Sequence, residues 1–209
     1  MKNKNIVIFG GMSDLSQKTI PYLNADDIIA LSSKDCDVRL LKDIEKNLVE
    51  NNVAIFFSVV NYDNLIGNIT EEELNHQIDV NIKGYTNLLR AAANVWKDTG
   101  GSIIYVSSIL SAHPIKGTAI YSASKSYGDT ITKVFAMENA KNKITCNSIQ
   151  LGYFDGGLTY KVPTNILEKV KLNIPSKRFG NCDELGDLIN HIINNRYLTG
   201  SNIKLAGGL

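Results

Sequence analysis

Six short runs rich in β-branched and aromatic residues constrain this chain more than any other feature. They are NIVIFG (5–10), DIIALSS (27–33), VAIFFSVV (53–60), GSIIYVSS (101–108), ITCNSIQLG (144–152) and NIKLAGG (202–208). Several are continuously apolar rather than alternating, the pattern of strands covered on both faces in a parallel sheet. The intervals carry helical patterns over 14–24, 39–51, 71–97, 119–140 and 183–195. Strands alternating with helices predict βαβ units in an α/β fold: a Rossmann-like, doubly wound parallel sheet in a three-layer α/β/α sandwich. The chain has 209 residues, 44% of them hydrophobic. That supplies one substantial core, so residues 1–209 are read as a single domain. No linker, repeat or low-complexity segment interrupts it.

Two intervals depart from the rhythm. Only 19 residues, 34–52, separate the second and third runs, and most of them belong to one helix. The fold is therefore shortened near 34–52: either a strand is absent, or it survives as a stub around Cys36–Val38. The stretch 152–182 has no obvious strand and contains several glycines and two prolines. Loops that follow strand C-termini line the ligand crevice of an open α/β sheet, which makes 152–182 a candidate substrate lid. Tyr153, Phe154, Leu158, Tyr160 and Val162 give it a partly apolar character.

Charge and cysteine usage exclude some functions. Lys and Arg number 22 against 21 Asp and Glu, with no basic stripe, so a nucleic-acid partner has no electrostatic support. No apolar run approaches the ~18 residues of a membrane span. The apolar run at the N-terminus is too short for a signal-peptide core. Cys36, Cys146 and Cys182 show no CxxC spacing and read as free thiols of a cytoplasmic protein. His76, His113 and His191 lack metal-ligand spacing, so no metal site is expected.

The chemistry lies in YSASK, which places Tyr121 and Lys125 four apart and, on a helix, on one face. A nearby ammonium favours the phenolate, so a depressed Tyr121 pKa and proton exchange with a carbonyl or alcohol oxygen are expected. Ser108 ends the strand GSIIYVSS, where its hydroxyl can donate to the same oxygen. Each element alone is common. The ordered set of strand, Ser, Tyr, Lys and helix is far more specific.

With these motifs in place the chain resembles the short-chain dehydrogenase/reductase family over nearly its whole length. IIYVSSILSAHPIKGTAIYSASKSYGD is similar to that family's catalytic segment. The resemblance implies that Ser108 orients the substrate oxygen, Tyr121 is the acid/base, and Lys125 lowers its pKa and binds the nicotinamide ribose. DVNIKG resembles the helix segment whose asparagine, here Asn81, helps hold a proton-relay water near the lysine. CNSIQLG matches the segment after the next strand, with Leu151 in place of a proline and Gly152 kept. Ala206 stands where an aspartate is common. Pairing through 71–97 and 119–140 into a homodimer or homotetramer is implied as well.

The cofactor segments are more altered. The family's phosphate loop, Gly-x-x-x-Gly-x-Gly, aligns with Gly10, Asp14 and Ser16; Gly11 is an extra small residue, and Ser13 and Leu15 complete the turn. Asp14 can cap the following helix, whose start favours a phosphate. Ser16 adds a hydroxymethyl where the last glycine allows close packing, which predicts a weakened or shifted site. The family's Asn-Asn-Ala-Gly is replaced by Ser58, Val59 and Val60. After the second strand come Ser33 and Lys34, whose hydroxyl and ammonium suit a 2′-phosphate and so NADP(H) over NAD(H). Asp37 and Val38 resemble the Asp-Val pair beside the adenine.

These features imply an NAD(P)-dependent oxidoreductase that interconverts a carbonyl and a secondary alcohol on a small-molecule substrate. The altered loops motivate a rival reading, a non-catalytic cofactor-binding or partner protein on the same fold. A 3-oxoacyl chain, a sugar derivative and a small polyol all stay open as substrates.

Overall fold

The computed structural model describes residues 4–161 and 164–209. All six apolar runs form strands of one sheet: β1 (Asn5–Phe9), β2 (Asp27–Leu31), β3 (Val53–Phe56), β4 (Gly101–Ser108), β5 (Ile144–Leu151) and β6 (Asn202–Leu205). Their spatial order is β2-β1-β3-β4-β5-β6 and every pairing is parallel. The architecture is the expected Rossmann-like α/β fold. The order reverses between β1 and β3, so the crevice of a doubly wound sheet opens beyond their C-terminal ends.

Alternate strand residues supply two cores. Val7, Phe9, Ala54, Phe56, Ile103 and Tyr105 face one layer, built from α2 (Leu41–Leu48), α4 (Tyr85–Val95) and α5 (Ala119–Asn139). Ile6, Ile8, Val53, Ile55, Ile104 and Val106 face the other, covered by α1 (Asp14–Thr19) and α7 (Cys182–Asn194). Trp96, Tyr85 and Cys146 are buried in the first core. This two-sided burial is why the strands read as continuously apolar.

The structure corrects several boundaries. β3 stops at Phe56 rather than residue 60; Phe57 N still donates to Phe9 O at 2.8 Å, and then the chain leaves the sheet. The helix expected over 14–24 ends at Thr19 and tightens into a 3₁₀ turn over Ile20–Tyr22, because Pro21 has no N–H to continue it. The helix expected over 71–97 is α3 (Glu71–Gln77) and α4, joined by a π-helical stretch, Ile78–Gly84. No strand forms at Cys36–Val38: both side chains are buried, and Val38 fills the space that Gly84 leaves open, so β2 remains the sheet edge. The interval 152–182, assigned no element from sequence, holds a 3₁₀ turn over Gly157–Lys161 and α6 (Thr164–Asn173). Its two ends pair, with Gly180 N donating to Tyr153 O and Asp155 N to Gly180 O, each at 2.9 Å. Among the described residues no helix is long and apolar enough to cross a membrane.

Candidate active site

One cavity of about 490 Å³ lies beyond the C-terminal ends of β3, β4 and β5. Its lining runs from the turn before α1 (Ser13, Asp14, Leu15) past Val59 to Ser108, Tyr121 and Lys125, with Gly152 and the lid residues Tyr153, Phe154 and Leu158 opposite. The structure thus brings together residues far apart in the chain. Gly10, Gly11, Ser33, Lys34, Asp37, Val38, Ser58 and Asn81 do not line it.

The glycine turn is built by close backbone approach. Gly10 has φ +75°, and a Cβ there would stand 2.6 Å from Ser58 N; one on Gly11 would stand 2.8 Å from Ala30 Cα. These two glycines seat the turn on β2 and on the residues just after β3. Ser13 caps α1 by accepting from Ser16 N at 3.4 Å, so the cap expected of Asp14 belongs to its neighbour. The Asp14 carboxylate turns outward, where it accepts from Gly157 N at 2.8 Å and pairs with Lys18 at 3.2 Å. Lys18 in turn donates to Tyr160 Oη at 3.1 Å, and Tyr160 donates to Asp155 at 2.7 Å. The residue in the middle glycine place therefore ties the start of α1 to the interval 152–182, the candidate lid. Val162 lies outside the described residues. Ser16 is fully buried and its hydroxyl has no hydrogen-bond partner among the described residues, the cost of a side chain where the family packs glycine.

At the other end β4 delivers Ser108 and the first two turns of α5 deliver Tyr121 and Lys125. Tyr121 is 8% exposed and Lys125 4%. Burial pushes the Tyr121 phenol up to about 12; the Ser108 hydroxyl beside it works in the opposite direction, and the Asp63 carboxylate adds to the rise. Burial pushes Lys125 down to about 8, against the pull of the Asp129 carboxylate. The expected depression of Tyr121 by Lys125 is thus not met, burial being the dominant influence. The reason is geometric: the ammonium lies 5.7 Å from the Tyr121 ring centroid and donates instead to Val106 O at 2.7 Å. Asn81 is also spent elsewhere. Its Oδ1 accepts from Val60 N and its Nδ2 donates to Val60 O, both at 2.8 Å, with a longer contact to Ser124 at 3.3 Å. It pins the segment after β3 to the π-helical stretch, and its side chain does not reach Lys125 by a hydrogen bond.

The adenosine end is a compact turn. Asp35 accepts from Ser32 N at 2.9 Å and Ser32 Oγ at 2.6 Å. Arg39 holds the Asp37 carboxylate in a bidentate pair, at 2.7 Å through Nη2. Ser33 and Lys34 are exposed beside them. Val38 faces the core, not a ligand.

Sequence reasoning missed Ser107, Asn61 and Asp63, which line the cavity. Ser107 is 3% exposed with an unpartnered hydroxyl, and it is the first of the serine pair that ends β4. Asn61 and Asp63 follow β3 directly, where a crevice is expected; that position was the available signal. A cavity joining the glycine turn to a buried Tyr–Lys pair, with the orphaned Ser107 hydroxyl facing it, fits a nicotinamide dinucleotide. Ser13–Leu15 would hold its phosphates, and Tyr121, Lys125 and Ser107 its nicotinamide half.

Comparison with known proteins supports the resemblance. A family model described as enoyl-(acyl carrier protein) reductase matches residues 43–209. The chain is 31% identical over 188 residues to a 3-oxoacyl-(acyl-carrier-protein) reductase of Bos taurus, covering 88% of this chain and 78% of that protein. It is 29% identical over 161 residues to a human (3R)-3-hydroxyacyl-CoA dehydrogenase, covering 75% of this chain and 62% of that one. In structure it is similar to a small-chain dehydrogenase in complex with NADPH, with TM-score 0.87 and 19% identity over 99% of this chain and 98% of that chain.

Proposed function

The chain belongs to the short-chain dehydrogenase/reductase family, and on that premise we propose that it is an NAD(P)-dependent oxidoreductase interconverting a carbonyl and a secondary alcohol. One observation carries this reading: Ser108, Tyr121 and Lys125 line the same cavity as the turn before α1. A nicotinamide cofactor held by Ser13–Leu15, Tyr121 and Lys125 would supply or accept the hydride when bound. The chain's own groups handle the oxygen and its proton. Tyr121 Oη exchanges the proton with the substrate oxygen, and Ser108 donates a hydrogen bond to that oxygen. The wall near them, Ile109, Leu110, Ile115 and Leu158, suits an apolar chain beside the carbonyl, as do the acyl substrates in the relatives' names.

NADP(H) is the favoured cofactor. Both acids near the end of β2 are engaged, Asp35 by Ser32 and Asp37 by Arg39. Neither is free to take ribose hydroxyls, while Ser33 and Lys34 stay open to a 2′-phosphate. Lys34→Ala then weakens NADPH binding and leaves NADH binding nearly unchanged in calorimetry. A homodimer or homotetramer is also proposed, through the helices 71–97 and 119–140, where Ile78, Val134 and Met137 are exposed; sedimentation tests it and tells the two apart.

The test of the reaction is Tyr121→Phe, assayed on 3-oxoacyl thioesters with NADPH. Turnover should fall by about 10²–10⁴-fold with NADPH affinity kept within about threefold, since the change removes a single hydroxyl. Unchanged turnover sinks the mechanism. The non-catalytic reading draws on the raised Tyr121 phenol and lowered Lys125 ammonium, which oppose what acid/base work needs. NADPH binding by the wild-type protein with no turnover across a broad carbonyl panel would favour it.

A further inference from the structure

Lys125 is buried, and an ammonium has three N–H bonds to place. Among the described residues it makes one hydrogen bond, to Val106 O. A charge taken out of water in this way is retained only where other groups compensate it. Two groups outside the Ser–Tyr–Lys set stand in position to do so.

The first is Tyr105 on β4. Its ring lies 4.8 Å from the Lys125 nitrogen, nearer than the ring of Tyr121 at 5.7 Å. A cation over an aromatic face at this range is attracted by the ring quadrupole, more so when desolvated. Tyr105 is held from behind by Tyr85, stacked at 4.2 Å, and by Phe56 at 6.1 Å. Gly128, three residues after Lys125, leaves the ring its space: a Cβ there would come within 2.3 Å of it.

The second is Asp129, one helical turn beyond Lys125 and on the same face of α5. It is 4% exposed. Its Oδ2 accepts from Gln150 Nε2 at 2.7 Å, and the same nitrogen donates to Ser111 Oγ at 3.0 Å. Its Oδ1 is buried and meets no donor among the described residues. A carboxylate short of a donor and an ammonium short of an acceptor thus occupy successive turns of one buried helix face. Asp129 also opposes the effect of burial on Lys125.

We propose that Tyr105 and Asp129 are positioning residues for Lys125: the ring face and the carboxylate keep its ammonium charged and fixed beneath Tyr121. The consequence for turnover rests on the reading of Tyr121 and Lys125 given above; the charge state of Lys125 does not. The other titratable groups around this cluster are few. Tyr121 shares the helix, and Asp63, after β3, acts on Tyr121. Tyr85 of α4 and Cys146 of β5 lie behind Tyr105, and burial raises Tyr85, Tyr105 and Cys146, so they stay neutral.

The test reads Lys125 directly. Protein carrying ¹³Cε-labelled lysine is titrated by NMR, with the Lys125 resonance assigned by its loss in Lys125→Met. Asp129→Asn keeps the volume and the bond to Gln150 but removes the charge. It should lower the Lys125 midpoint by about one pH unit, a tenfold change in its protonation equilibrium. Tyr105→Leu should lower it too, and Tyr105→Phe, which keeps the ring, should restore the wild-type midpoint. The matching limb of the kcat/KM profile should move down by the same amount. An unmoved midpoint in Asp129→Asn overturns the proposal, even where activity falls. Should Tyr105→Leu fail to fold, Asp129→Asn decides alone. A shifted midpoint in a protein that reduces no carbonyl would leave this inference standing and remove the oxidoreductase reading instead.

Discussion

The two ends of the cavity are built differently. At the β4–α5 end, Ser108 stands at the half-buried end of an otherwise buried strand and Tyr121 and Lys125 on a 21-residue helix, where their spacing along the chain sets their spacing in space. At the α1 end, the turn is shaped by residues remote in sequence: Gly10 packs on Ser58, Gly11 on Ala30, and Asp14 on Gly157. The first end takes its geometry from regular structure. The second carries less specific chemistry but depends on close backbone approach and on a six-residue helix. A motif written on rigid elements survives as a readable pattern; a site made by loops meeting across the fold does not.

The comparison breaks most easily at Gly10. Alanine there would combine a positive φ with a Cβ held 2.6 Å from Ser58 N, 2.8 Å from Ser58 Cα and 2.9 Å from Phe57 C. All three are backbone atoms, so no side chain can move aside. Gly10→Ala should cost about 3 kcal/mol or more, measured by urea denaturation, and should abolish NADPH binding in the fraction that folds. A cost near zero would mean that the turn is as adaptable as a surface loop and that the contrast between the two ends is false.

The same contrast explains what was legible in the sequence. The central strands were visible because both faces of β1, β3, β4 and β5 are buried, which leaves continuous apolar runs such as VAIF; the edge strands β2 and β6 are more exposed. Tyr121 and Lys125 were visible because a helix turns i and i+4 into neighbours, and Ser108 because it ends an apolar strand. The split of 71–97 by a π-helical stretch was not, since DVNIKG keeps a helical composition throughout and the change is one of hydrogen-bond register. Helix α6 was hidden inside the glycine-bearing interval 152–182. The true partner of Asp14 could not be read at all, because Gly157 is distant in sequence and offers only its backbone N–H. The burial that raises Tyr121 and lowers Lys125 was also invisible, because spacing places two groups together without saying how far they stand from water.

Smaller effects sharpen the picture. Ser16 has a buried hydroxyl with no partner among the described residues, and leaving such a group unsatisfied costs about 1–3 kcal/mol. Ser16→Ala should therefore raise stability by about 1 kcal/mol and the melting temperature by about 2–4 °C. A loss of stability would show that the hydroxyl finds water. The far end of the lid is anchored by Arg178, whose pairing with Glu184 holds that carboxyl down to about 2 from an ordinary 4.5. A depressed carboxyl contributes stability above its unfolded value and loses it as pH falls through the folded one. The loss should thus appear between about pH 4.5 and 2. It should amount to less than about 1 kcal/mol after allowance for solvent screening, because the pair is exposed. Glu184→Gln should flatten that part of the acid titration.

Asp14 should have the smallest effect on stability and the most local one. Its carboxylate is exposed, so the pair with Lys18 contributes little to global stability, and Asp14→Ala should shift it by no more than about 0.5 kcal/mol. Yet the Gly157 amide depends on that carboxylate, and Lys18 reaches Tyr160 only while it stays near Asp14 and the lid. Removing the acceptor should speed hydrogen exchange at Gly157 by about tenfold, the factor expected from losing one charge-assisted hydrogen bond of about 1.4 kcal/mol. The amides of Gly11 and Ser13 should keep their rates, because they donate to Leu31 O and Gly10 O, away from the Asp14 carboxylate. If the turn loosened along with the lid, Asp14 would be part of the turn's own structure. If only Gly157 responds, the residue in the middle glycine place serves the lid, and the turn stands on Gly10 and Gly11.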